Sequence, residues 1–157
     1  MDTEIEVAAI AEQYVVCLRA RGPVGELGAR LARLQAALAA AGISQAGPPQ
    51  ARFYDDDYDP RDTDFDVCLP IEQDNDGHVP DDVDDLPTAY IPAHHVLVAT
   101  QSGPHPALGA AHAALRRELD GAGYTLSGPV TEVFLKGPGG GVEPADYLTE
   151  VRYPYAR

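Results

Sequence analysis

The chain has 157 residues, 45% of them apolar, and carries a formal net charge of −14. That size allows one compact domain or two halves sharing a core. So acidic a chain is a poor partner for nucleic acid, which needs clustered Lys and Arg to neutralise phosphate. It favours cationic over anionic small ligands, through a weak long-range field. There is no apolar run near the roughly 20 residues that a membrane span requires. The start, MDTEIEVAAIAEQ, is acidic and lacks the basic region of a secretory signal, so the expected location is the cytoplasm.

In chain order, the first clear element is the apolar run Tyr14 to Leu18, a strand that Gly22-Pro23 ends. A helix follows, with Val24, Leu27, Leu31, Leu34, Leu38 and Ala41 on one stripe and Glu26, Arg30 and Arg33 on its wet side. Gly42 stops it. Two strands come next, at about 49 to 55 and 64 to 71. Residues 73–92 are rich in Asp and Pro, show no period, and read as a solvated linker. Then the pattern returns. A strand at Val96 to Thr100 leads to Gly103-Pro104. A helix follows with Leu108, His112, Leu115 and Leu119 on its stripe, and Gly123 stops it. Two last strands lie at about 129 to 136 and 147 to 154.

The return is in register. At an offset of 81, Gly22-Pro23 falls on Gly103-Pro104, Leu34 on Leu115, Leu38 on Leu119, Gly42 on Gly123, Gly47-Pro48 on Gly128-Pro129, and Phe53 on Phe134. After three further residues enter, Asp66-Val67 falls on Glu150-Val151 and Pro70 on Pro154. This reads as an internal duplication. The expected fold is α+β: a tandem, pseudo-symmetric β-α-β-β module with antiparallel sheets. Its copies are residues 5–72 and 93–157. One module alone buries too little apolar area to be stable, so the two are expected to pair, with a ligand cleft between them.

Within that pattern Glu132 is out of place. It shares a strand face with Val130 and Phe134, and its counterpart at the offset is Ala51. Burying such a charge costs several kcal/mol. The acid is therefore neutralised by a raised pKa, paired internally (Arg152 and Lys136 are the nearby cations), held ready for a cationic ligand, or on a face that is simply wet.

Other groups carry less chemistry. Asp55, Asp57, Asp59 and Asp66 imitate a calcium loop, but Pro60 stands where its Gly belongs and no final Glu follows. His94 and His95 point to opposite strand faces, and His105 and His112 lie about two helical turns apart, so no metal site is expected. The glycines of residues 137–141 lack the Lys-Ser/Thr of a phosphate loop. Ser102 and Ser127 lack the G-x-S-x-G context of a serine hydrolase. Cys17 and Cys68 read as small buried hydrophobes kept reduced. Tyr90 and Tyr147 are aromatic groups suited to stacking on a planar or cationic ligand. Glu150 matches the acid Asp66 in the other copy, which suggests a structural role and makes it a minor pocket candidate.

Several motifs together resemble the GyrI-like small-molecule-binding family, which includes the effector-binding domains of bacterial multidrug-responsive transcription activators. They are Gly-Ile at 42–43, Gly-Pro-Pro-x-Ala-x-Phe at 47–53, Asp-Val-Cys-Leu-Pro at 66–70, Ser-Gly-Pro at 102–104, Gly-Tyr at 123–124, Gly-Pro-x-x-Glu-x-Phe-Leu at 128–135 and Thr-Glu-Val-x-Tyr-Pro at 149–154. The resemblance covers about residues 5 to 155. It implies two β-α-β-β modules with a ligand cleft, Glu132 as the acid on the pocket floor, and planar, often cationic, aromatic ligands. Some free-standing members of similar length hydrolyse cyclopropane-bearing DNA-alkylating natural products with a glutamate and a tyrosine.

The chain departs from that pattern at Phe53 and Phe134, where tyrosines are common, and at His105 and His112, where aromatic residues are common. No DNA-binding segment precedes the domain, so a one-piece DNA-binding regulator is not expected. Two functions follow. One is a stand-alone binder of planar, hydrophobic, cationic compounds through Glu132, Phe134, Phe53, Tyr90, Tyr147, His105 and Glu150. The alternative is a hydrolase with Glu132 and a phenol from Tyr147 or Tyr90. Neither needs a cofactor. The acidic surface also permits a protein partner or a homodimer.

Overall fold

The computed structural model describes residues 4–55, 59–137 and 141–157, with all of their side chains but those of 105 and 106. In chain order the elements are β1 (Glu6–Ile10), β2 (Gln13–Gly22), α1 (Leu27–Ala41), β3 (Gln50–Phe53), β4 (Thr63–Ile71), β5 (Asp82–Val83), β6 (Leu86–Ile91), β7 (His94–Ser102), α2 (Gly109–Gly121), β8 (Thr125–Leu126), β9 (Val130–Lys136) and β10 (Leu148–Ala156). Every expected strand and both helices are present, and the fold is α+β with antiparallel strand pairs.

The elements form two compact units. One is Ala11–Ala93; the other combines the chain up to Ile10 with His94–Arg157. Each holds a β-α-β-β run plus two further strands, β5 and β6 in the first unit and β1 and β8 in the second. In the first unit β6 pairs with β2, matching Gln13 with Ile91 and Val16 with Thr88. In the second, β1 pairs with β7, matching Ile10 with His94 and Ala8 with Val96. Shifting 13, 14 and 15 by 81 gives 94, 95 and 96, and shifting 10 gives 91, so β6 on β2 and β1 on β7 sit in the same register. Sequence patterning missed β1 and treated 73–92 as linker, yet β5 and β6 lie there. A strand of only two to six residues has too weak a local signal to be read alone.

In the first unit α1 packs on β4. Its apolar stripe buries Leu27, Leu31, Leu34 and Leu38, while Arg30 lies over the Phe65 ring and donates to the carbonyls of Ala20 and Phe65. Fully burying one such leucine contributes roughly 1.5–3 kcal/mol. The other sheet face carries Val15, Cys17 and Cys68 with Ala89 and Ile91. In the second unit α2 packs on β7 and β10, where Leu108, Ala111, Leu115 and Leu119 meet Leu97, Ala99, Val151 and Tyr153. Among the described residues, no helix is long and apolar enough to cross a membrane.

Candidate functional site

Glu132 sits in the middle of β9, opposite Val151 of β10. Val151 belongs to the core beneath α2, so the alternation of the strand carries Glu132 to the helix-covered face. It is 6% exposed. Of the two nearby cations, Arg152 is bound to Glu150 at 2.6 Å, and Lys136 is exposed. Instead Glu132 Oε2 lies 2.8 Å from His112 Nε2 of α2. The other imidazole nitrogen, Nδ1, lies 2.9 Å from the Tyr153 hydroxyl of β10. Carboxylate, imidazole and phenol thus form one chain across three elements.

Their environments differ. The Glu132 side chain is 7% exposed and that of His112 29%. Tyr153 is buried, and burial pushes its phenol above the ordinary range; Arg116, whose guanidinium carbon lies 5.3 Å from the ring centroid, opposes this. The phenol therefore stays protonated and available as a donor. The imidazole is the most accessible of the three groups.

The sequence reading placed His112 on the apolar stripe of α2 but did not join it to Glu132, and it passed over Tyr153. A signal was present. At the duplication offsets of 81 and 84, His112, Glu132 and Tyr153 correspond to Leu31, Ala51 and Leu69, all buried in the first unit. Three apolar core positions in one copy are polar in the other.

Of the remaining candidates, Phe134 is buried and shares the Glu132 face, opposite Thr149. Glu150 pairs in register with Val133, so it points to the opposite face of the sheet, where Arg152 binds it. Tyr147 is half-buried just before β10, and its carbonyl accepts the Gly103 N–H at 2.8 Å. Phe53 and Tyr90 belong to the other unit. Phe53 is stacked on Phe65 with centroids 5.7 Å apart, and Tyr90 is 49% exposed with its hydroxyl donating to Glu12. The His105 side chain lies outside the described residues.

A second polar cluster occupies the first unit. Asp66 is buried and accepts two hydrogen bonds from Arg52, at 3.0 and 2.7 Å, and one from Tyr54, at 2.6 Å. The Cys68 thiol reaches the same carboxylate at 3.2 Å, and Cys17 lies directly across the strand pair with the sulfurs 3.0 Å apart. Both cysteines are free thiols. Burial pushes Cys68 well above the ordinary thiol range. Burial alone would lower Arg52, but its bonds to Asp66 outweigh that and hold it raised. The two sulfurs and the carboxylate are close enough to share an ion. The bidentate arginine already satisfies the carboxylate, however, and makes the place hostile to a cation. This cluster is structural. The imitation calcium loop is likewise occupied by arginines: Arg21 binds Asp55, Arg61 binds Asp59 and Arg52 binds Asp66, while Asp57 lies outside the described residues. So do residues 138–140 of the glycine-rich segment.

Solved structures share this architecture. The EcmrR C-terminal domain superposes with a TM-score of 0.83 at 18% identity, covering 100% of this chain and 99% of that one. In the EcmrR–DNA complex the TM-score is 0.85 at 19% identity, and the match covers 99% of this chain but 58% of that one. A hydrolase from Listeria innocua gives 0.70 at 14% identity, over 99% of this chain and 93% of that one. SAV2435 bound to tetraphenylphosphonium gives 0.62 at 13% identity, over 98% and 94%. At these identities the likeness establishes the fold. No curated protein matches the chain. The GyrI-like small molecule binding domain model matches residues 3–156, nearly the whole length, and the chain belongs to that family.

Proposed function

We propose that this domain takes up a planar, hydrophobic, cationic small molecule, with Glu132 offsetting the ligand's charge, either to sequester the compound or to signal its presence. The observation that carries this reading is the buried Glu132 carboxylate on an otherwise apolar strand face, at a position where the other copy has alanine. An acid in such surroundings interacts strongly with a cation because little water screens it. The net charge of −14 adds a long-range attraction of the same sign. A structural neighbour, SAV2435, is bound to a phosphonium cation. Titration with a rhodamine dye tests the reading. Binding by the wild type that weakens about tenfold or more in Glu132→Gln supports it. Equal affinity in the two proteins overturns the charge contact.

One observation favours a second reading, a hydrolase of cyclopropane-bearing alkylating agents. Glu132, His112 and Tyr153 form the acid–imidazole–phenol chain that general acid–base chemistry uses. Tyr153 is too buried to meet a substrate and both His112 nitrogens are engaged, so Glu132 would be the group that polarises water or the substrate, held in place by the imidazole. Incubation with such an alkylator, followed by mass spectrometry, decides it: a water adduct that Glu132→Gln fails to form supports turnover, and no adduct at stoichiometric protein removes it.

A further inference from the structure

We infer that His112 gates the Glu132 site by its own protonation, so that this domain takes up cations at neutral and alkaline pH and releases them in acid. The inference rests on the proposed contact between Glu132 and a cationic ligand, and adds a control that the contact alone does not have.

The geometry supplies both states of a switch. Imidazole is the side chain whose charge ordinarily changes between about pH 5 and 8. When His112 is neutral, its Nε2–H donates to Glu132 and its Nδ1 accepts the Tyr153 hydroxyl proton. The carboxylate then keeps its full negative charge. When His112 is protonated, both ring N–H groups donate, one to Glu132 and one to the Tyr153 oxygen. The phenol proton then needs another acceptor. The His112 backbone carbonyl stands 3.4 Å from the Tyr153 oxygen and is placed to take it. The phenol therefore has a hydrogen-bond role in either state, and neither state strands a buried donor. Phenylalanine at the same place would serve neither.

The net charge of the Glu132–His112 pair moves from −1 to zero on protonation, so its attraction for a cation is lost. Exposure favours the same gate, because the imidazole is partly exposed while the acid it binds is buried. Among the described residues, these groups stand around the pair. From β10 comes Tyr153; from α2 itself comes Arg116, over the Tyr153 ring; and β7 meets the helix with Leu97 and Ala99. The fold does not require this polar trio, since the corresponding positions of the other unit are filled by Leu31, Ala51 and Leu69.

Tetraphenylphosphonium is a suitable probe because its charge does not titrate. Calorimetric affinities between about pH 5.5 and about pH 8 should rise about tenfold in the wild type. In His112→Gln, which keeps an N–H donor beside Glu132, the profile should be flat. Glu132→Gln should bind weakly at every pH. Wild-type affinity independent of pH, or the same slope in His112→Gln, overturns the gate while leaving the Glu132 contact standing. Absence of binding at any pH overturns the contact and the gate together.

Discussion

His112 Nε2 of α2 and Glu132 Oε2 of β9 lie 2.8 Å apart, 20 residues distant in sequence, on the face that α2 covers. Removing one partner should cost more than removing both. His112→Leu takes a hydrogen bond away from a buried charge and should destabilise the protein by about 1.5–3 kcal/mol. Adding Glu132→Gln to that variant should recover part of the loss, because the uncompensated charge is gone. Urea titrations of the two single variants and the double variant close the cycle; strict additivity would show the pair to be energetically idle.

Arg52 and Asp66 should behave in the same sense and more strongly. Their side chains are 15% and 3% exposed, and the guanidinium grips the carboxylate twice. Arg52→Met leaves a buried carboxylate short of its cation and should cost about 3–5 kcal/mol, whereas Arg52→Met with Asp66→Leu should fall close to the wild type. Chemical denaturation of both variants measures the contrast. A double variant no better than the single one would mean that packing, not charge, holds this cluster.

Stability should decline at alkaline pH. Burial, reinforced by the hydrogen bond to Asp66, raises the Tyr54 phenol, and burial raises Tyr153. In the unfolded chain these phenols lose their protons near pH 10, while the folded protein still holds them. The folded state then binds more protons, so the stability present below about pH 10 falls as pH rises beyond it. Thermal unfolding between about pH 9 and about pH 11 should show this fall, with a shallower slope in Tyr54→Phe. An identical slope in that variant would exclude Tyr54 as a source.

Gly42 and Gly123 end their helices at matching places, with φ of 68° and 73° and nothing within 4 Å of an added Cβ. Strain alone therefore decides the cost of substitution. Gly42→Ala and Gly123→Ala should each lose about 1 kcal/mol, and by similar amounts. Differential scanning calorimetry of the two variants is the check; a loss at one site only would show that the two caps are not equivalent.

Much of the fold was legible because its signals are local. The leucines of α1 recur at helical spacing, and Gly42 and Gly123 mark where left-handed backbone must end a helix. The runs around Val16, Val67, Val98 and Val151 alternate or cluster as strands do. Four strands escaped for an equally local reason: β1, β5, β6 and β8 are short, and β5 and β6 lie in a segment rich in Asp and Pro. The placement of β1 and β6 depends on pairing with β7 and β2, a relation that no window of sequence contains.

The candidate site divides in the same way. That Glu132 is anomalous follows from the sequence alone, since alternation puts it beside Val130 and Phe134 and the matching position holds alanine. The order of elements, the helix stops and the α+β class were determined at that level too. Which side chain answers the acid was settled only by tertiary structure. Lys136 and Arg152 are near in sequence, yet strand alternation turns Arg152 to the other face, where Glu150 holds it. His112 and Tyr153 are remote in sequence, and they reach one another and the acid because α2 packs on β7 and β10 with one rotational phase. That phase is set by the burial of Leu115 and Leu119 against the sheet, a packing constraint that binds all three elements at once.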